Sequence, residues 1–293
     1  MADQDDKPDS TRVEIDFPFD DRAIAKVRAH SKIELLFIKV HTTLKKQDAK
    51  IFQSFPLTGV LQIWGDVTRA AVRPAMECPG VETLIVFTLK AGGHLNGFAD
   101  VESIEDFTCM YGLRSNDLQE IARLPSIRKL GAQQSQVDKD ALTALMDAPQ
   151  LTDLDFESSN FDDNHASQIA QSKTITGLEI GFTRISKQGL KSICTMQQLK
   201  ELDIWSNNIA EDDLDMLQSL ENLEYLSVGG HDDQTDFTPD GTFPKLEKLP
   251  SLKRVWLDGF RVTRKEWTTS MTAMSGSVSH QLKTETIRLF VSP

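Results

Sequence analysis

The sequence predicts an α/β solenoid: a run of stacked strand–turn–helix units with a cap at each end. Three observations carry this reading. Leu151, Ile175, Leu199 and Leu223 open successive segments 24 residues apart. Each segment repeats apolar residues at its first, fourth and sixth positions: Leu151/Leu154/Phe156, Ile175/Leu178/Ile180, Leu199/Leu202/Ile204 and Leu223/Leu226/Val228. Alternation at positions four and six has the period of a strand. A second apolar set, Leu190/Ile193/Met196 in one segment and Leu214/Leu217 in the next, has helical spacing. One such unit cannot bury its own apolar face, whereas stacked neighbours can.

The same frame extends in both directions. Fourth-position anchors fall at Leu36, Leu61, Leu84, Phe107, Leu130, Leu154, Leu178, Leu202, Leu226 and Val255, which gives ten units. Residues 1 to 32 are read as a disordered tail and an N-terminal cap. The tail covers 1 to 12, Val13–Phe17 forms an edge strand, and a helix runs from Asp20 to His30 with Asp20 or Asp21 as its cap. Residues 33 to 251 form the repeats, punctuated early by Pro56, Pro74 and Pro79. Residues 252 to 293 form the last repeat and the C-terminal cap, with a helix over 264–274, a polar loop over 275–279 and a closing strand at Ile287–Val291. Trp267 is expected in the core of that cap. The long step before Val255 holds an insertion at 229–241, expected to shorten that unit's helix. Ala132, small at a sixth position, marks a thin place in the core. No Pro-, Gly- or Ser-rich linker divides the chain.

The LxxLxL pattern at this period, with Thr183–Leu190 and Asn207–Leu214 as turn-plus-helix halves, resembles the leucine-rich repeats. It looks most like their ribonuclease-inhibitor-like and bacterial classes. The resemblance implies a curved parallel sheet on the concave side and helices on the convex side. The turn asparagine of that family is matched by Asn207 alone, with Ser159 and Thr183 in its place in the preceding units. The fold hosts many functions, so the resemblance suggests recognition without naming a partner.

Composition narrows the function classes. The net charge of −12 over 293 residues disfavours nucleic acid and anionic membranes and favours basic partners. Cys78, Cys109 and Cys194 are odd in number and lack CxxC spacing, so they read as buried free thiols rather than disulfides or zinc ligands. The N-terminus has no basic segment followed by an apolar one, and the richest apolar run, Ile33–Val40, is too short to span a bilayer. The protein is therefore expected to be cytoplasmic, or exported without a cleaved signal peptide. Nothing in the sequence sets an oligomeric state.

No nucleophile elbow, phosphate loop or HExxH motif occurs, so no catalytic residue, metal site or cofactor is assigned. The exception weighed is His231 with Asp232, Asp233 and Asp236 in the 229–241 insertion, which would support a metal-binding or enzymatic reading. It lacks the ligand pattern of a calcium loop.

The informative residues are those the repeat does not require. Positions three, five and seven of each strand point away from the helices. In the N-terminal half they are apolar: Phe37, Trp64, Ile85, Phe87 and Met110. This zone is either an interface or a patch covered by the N-terminal segment or the loop 91–97. In the middle they are acidic: Asp153, Asp155, Glu157, Glu179, Glu201 and Asp203, flanked by Trp205, Tyr225 and Trp256.

A charge run is ordinarily a solvated face. Asp155, Glu179 and Asp203, however, fall at one position of three successive strands about 4.8 Å apart. Repulsion there is about 1–3 kcal/mol per adjacent pair. Gly177 and Gly181, on either side of Glu179, are expected to leave room for a bound group. Glu120 is expected on the outer helix face. The reading is a non-enzymatic protein-recognition module that takes a basic protein or peptide on an acidic and aromatic face, as an inhibitor or a bacterial effector. The alternative is an adaptor presenting a substrate to a ligase or secretion partner.

Overall fold

Every fourth-position anchor of the strand pattern lies in a strand, and alternation decides which side of it faces the helices. The computed structural model describes residues 11–230, 237–258 and 287–289. It divides into two compact units, Met1–Gly131 and Ala132–Pro293. Each is a stack of parallel strands whose described connections are turns and helical segments, except between Leu89 and Asp106, where the connection is a loop; this is the arrangement of a leucine-rich-repeat solenoid.

In the first unit β1 (Arg12–Phe17), β2 (Ile33–Val40), β3 (Leu57–Val67), β4 (Thr83–Leu89) and β5 (Asp106–Tyr111) pair in parallel and in sequence order. Leu36, Leu61, Leu84 and Phe107 stand opposite one another, so the anchors share one register. All four are fully buried, as are Ile38, Val86 and Cys109 two residues further on. Strand β1 includes Arg12, expected in the tail, and residues 1–10 of that segment lie outside the described residues. Helix α1 (Asp21–Arg28) follows, and the Asp20 side chain caps it by accepting from Ala23 N at 2.6 Å. Strand β6 (Lys129–Ala132) lies where the units divide.

Beyond α1, the first unit has α2 (Lys46–Ala49), α3 (Arg69–Met76) and α4 (Ser115–Ile121). Pro74 lies inside α3 rather than in a connection. Its ring removes one backbone donor, yet the helix holds because Ala71, Val72, Ala75 and Met76 are all buried. A buried ion pair ties α3 to α4. Arg69 Nε donates to both Asp117 oxygens at 3.0 Å and its Nη2 to Oδ2 at 2.7 Å. The same guanidinium donates to the carbonyls of Lys90 and Gly112. Asp117 also accepts from the backbone of Leu95 at 3.4 Å and of Arg114 at 3.1 Å.

Glu120 departs from expectation in the same place. It is buried and accepts from Phe98 N at 2.8 Å. A helical carboxylate that receives a loop amide is held inward, whatever its position on the helix wheel suggests.

In the second unit β7 (Asp153–Asp155), β8 (Gly177–Glu179), β9 (Glu201–Asp203), β10 (Tyr225–Gly229), β11 (Arg254–Asp258) and β12 (Ile287–Leu289) are parallel and consecutive. Leu154, Leu178, Leu202, Leu226 and Val255 are in register. The helical halves are α5 (Lys139–Asp147), α6 (Asp163–Ile169), α7 (Lys187–Ile193) and α8 (Pro239–Leu246), while Glu211–Ser219 is a 3-10 helix. Helix α8 begins inside the 229–241 insertion and is no shorter than α6 or α7, against expectation. The Glu211 carboxylate holds its start, accepting from Thr238 N at 2.6 Å and Thr242 Oγ1 at 2.8 Å. The features expected over 264–274 and 275–279, Trp267, and the cluster His231/Asp232/Asp233/Asp236 lie outside the described residues.

The turns after β6, β7, β8 and β9 have a repeat of their own, which the apolar pattern does not reveal. Gln134, Ser158, Phe182 and Ser206 all take a left-handed backbone, with φ of 47°, 59°, 55° and 54°. Each donates its N–H to the next repeat, to Glu157, Gly181, Trp205 and Gly229 respectively, at 2.8–2.9 Å. One residue on, Asn207 bridges its neighbours, donating to Ile180 O at 2.8 Å and accepting from Ile185 N at 3.0 Å. Ser135 holds the equivalent place, and its buried hydroxyl has no hydrogen-bond partner among the described residues.

Candidate functional site

The acidic site is set by register. Asp155 pairs with Glu179 across β7–β8, and Glu179 with Asp203 across β8–β9. Their even positions fill the core, so these three side chains emerge together on the opposite face. The contacts of the three differ. Asp155 Oδ1 accepts from Glu157 N at 2.8 Å and its Oδ2 from Gln133 Nε2 at 2.7 Å. Asp203 Oδ1 accepts from Trp205 N at 3.0 Å. These two aspartates thus also brace the turns at Ser158 and Ser206. Glu179, one methylene longer and exposed, reaches outward between them.

Electrostatics follow from that placement. Loss of hydration on the crowded sheet is the leading cause that pushes Glu179 up to about 7, and repulsion from Asp155, Asp203, Glu157 and Glu201 adds to it. Asp203 is pushed up to about 6, again chiefly by loss of hydration, with the amide of Trp205 opposing it. Asp155 and Glu157 are raised for the same leading reason. At neutral pH the face therefore carries less charge than its formula suggests.

The glycines do not leave the expected room. A Cβ on Gly177 would sit 2.4 Å from Asp153 Oδ1, and one on Gly181 would sit 2.4 Å from Cδ1 and Nε1 of Trp205. The space is already taken by Asp153, which accepts from Thr152 Oγ1 at 2.5 Å, and by the Trp205 indole. Glycine here lets neighbouring side chains lie flat on the backbone, which is a different use of the missing Cβ.

Two contributors were not legible from the repeat. Phe182, 41% exposed and left-handed, meets Trp205 edge to face at 5.0 Å. A bulky residue at positive φ is uncommon and marks a place to look for function. Arg254 on β11 pairs with Glu201 at 3.2 Å, and its guanidinium lies 5.0 Å over the Tyr225 ring. Trp256 follows on the same strand, half-buried and opposite Ser227.

Trp64 and Phe87 belong to the first unit, where they form a row of their own. Trp64 stacks on Phe87 with centroids 4.0 Å apart, Phe87 meets Tyr111 edge to face at 5.2 Å, and Phe37 lies 6.5 Å from Trp64. Trp64 is 47% and Tyr111 36% exposed. The loop 91–97 does not cover them, because Leu95 is buried and bonded to Asp117 of α4.

Cys78, Cys109 and Cys194 are buried free thiols, each pushed up to about 12 by burial. Such thiols are protonated and poor nucleophiles at neutral pH. Among the described residues no group of three His, Cys, Asp or Glu side chains is placed to hold a metal ion. No described helix is long and apolar enough to cross a membrane.

No family model matches the sequence, and no curated protein does. Among solved structures, the internalin inlF of Listeria monocytogenes str. 4b F2365 aligns over 85% of this chain and 86% of its own. It has 14% identity and a TM-score of 0.42. A TLR13–ssRNA13 complex aligns over 82% of this chain with 16% identity and a TM-score of 0.49, and this chain spans 34% of it. Likenesses this distant add nothing to the repeat geometry above, on which the leucine-rich-repeat solenoid rests.

Proposed function

We propose that this chain is a non-enzymatic protein-recognition module whose second unit binds a basic protein or peptide on its carboxylate face. Arg254 carries the reading. It pairs with Glu201 and lies over Tyr225, the contact that a guest arginine would make with this face. Beside it, Asp155, Glu179 and Asp203 repel one another, and Trp205 with Phe182 offers a second aromatic edge. A guest ammonium or guanidinium relieves that repulsion and gains charge-assisted hydrogen bonds. A cation against an aromatic face adds about 0.5–2 kcal/mol. The net charge of −12 steers basic partners inward and repels nucleic acid and anionic lipid. Acting as an inhibitor or a bacterial effector, the module would mask its partner's basic surface.

The test is capture on the immobilised chain from a lysate of its source, run beside a Glu179→Gln/Trp205→Ala variant. Basic proteins should be retained by the natural chain, released by salt and lost from the variant. Retention of the same proteins by both, or of acidic proteins by the natural chain, would refute the reading.

A further inference from the structure

We propose that the row Phe37–Trp64–Phe87–Tyr111 in the first unit is a separate docking surface for an uncharged apolar segment of a partner protein, whose aliphatic and methionine side chains seat between the ring edges. This goes beyond the carboxylate face, since it uses other residues and the opposite chemistry.

Ring geometry selects the class of guest. Trp64 and Phe87 are nearly parallel, 25° apart at 4.0 Å, so each covers a face of the other. Phe37 flanks Trp64 on one side and Tyr111 flanks Phe87 on the other. The middle rings therefore stand on edge and present C–H groups outward. A nucleobase needs an open aromatic face to stack on, and a sugar ring packs on the same kind of face. An aliphatic side chain needs neither, and fills a notch between edges by burial alone.

Charge points the same way. Three cations beside the row are engaged: Lys39 with Glu14, Lys90 with Asp66 at 3.0 Å, and Arg12 over Phe37 at 5.9 Å. His41 is hydrogen-bonded to Asp16 at 2.7 Å. A phosphate chain would have to break these pairs, whereas an uncharged segment leaves them intact. Leu35, Val60, Ile85 and Met110 emerge on the same face and are half-buried. Aromatic and methionine enrichment with little free charge is the composition of an interface centre. The first ten residues, MADQDDKPDS, hold four aspartates and no aromatic side chain, so they are no match for this face.

The experiment selects phage-displayed random dodecapeptides on the full chain and measures the selected peptides on variants. The expected pool has net charge near zero and is rich in Leu, Ile, Met and Phe. Its binding should fall at least tenfold on Trp64→Ala and on Tyr111→Ser, and stay unchanged on Glu179→Gln. Both substituted residues are substantially exposed, and circular dichroism verifies folding. A basic pool that is lost on Glu179→Gln and indifferent to Trp64→Ala would assign binding to the carboxylate face and overturn this proposal while leaving the other. Binding of oligouridine or a cello-oligosaccharide that is lost on Trp64→Ala would replace it with a stacking ligand. Self-association abolished by Trp64→Ala would replace it with a second copy of this chain.

Discussion

Replacing Asp117 with alanine is expected to cost about 3–5 kcal/mol of stability. The substitution leaves the Arg69 guanidinium buried, with its side chain 1% exposed, without its counter-charge. It also strands the amides of Leu95 and Arg114. The loop from Lys90 to Gly97 should loosen with them. Trp64 is the one tryptophan of residues 1–131, so fluorescence during urea unfolding reports on this unit once Trp205, Trp256 and Trp267 are replaced by phenylalanine in both the natural and the substituted chain. The double replacement Arg69→Met/Asp117→Leu should regain much of the loss, because neither charge is then left unpaired. Removing the exposed Lys90–Asp66 pair should cost under about 1 kcal/mol. Equal effects of the buried and the exposed pair would show that the Arg69–Asp117 contact does not hold α3 and α4 together.

The second large expected effect is a loss of stability of about 1–2 kcal/mol on going from pH 5 to pH 8. Asp203 rises from an ordinary 3.8 to about 6, and Glu179 from 4.5 to about 7. Between those limits the folded chain holds more protons than the unfolded one, so stability falls as pH rises from about 4 to about 7 and then levels off. One pKa unit is worth about 1.4 kcal/mol. Asp203 supplies most of the effect, since solvent screens the exposed Glu179. The lowered carboxylates Asp100, Asp162, Asp213, Asp215 and Glu224 act with the opposite sign. Their stabilisation is lost only as pH falls below their ordinary range, so it does not mask the window from 5 to 8. Urea midpoints measured across that window test this. Asp203→Asn should remove most of the slope and Glu179→Gln a smaller part, while Glu221→Gln, on an exposed turn, should leave it alone. A profile that rises from pH 5 to 8 would contradict the electrostatic account of the face.

The strands were legible because their evidence is periodic. A side chain that alternates with a buried neighbour has one face available, and ten anchors spaced 23 to 29 residues apart leave a single register. The cross-strand alignment of Asp155, Glu179 and Asp203 followed directly. What lay between side chains did not. Glycines beside Glu179 suggest a vacancy on paper, yet neighbouring rotamers place Asp153 and Trp205 there. Glu120 has the polarity of an outer residue, but a loop far along the chain supplies the amide that draws it in. Phe182 gave no warning, because nothing in an apolar pattern marks a left-handed turn. Arg254 sits at an ordinary third position, and its meaning depends on Glu201 and Tyr225, 53 and 29 residues away.

The most direct test of the central claim is a fluorescence titration of the full chain with an arginine-rich decapeptide, read on the natural sequence and on Glu179→Gln. The account expects the substitution to weaken binding about tenfold, slow association and flatten its salt dependence, while raising the stability of the free protein. The two signs oppose because one carboxylate is unfavourable alone and favourable with a cation against it. Unchanged affinity together with lower stability would contradict the account, and would make the carboxylate row a structural feature of the sheet.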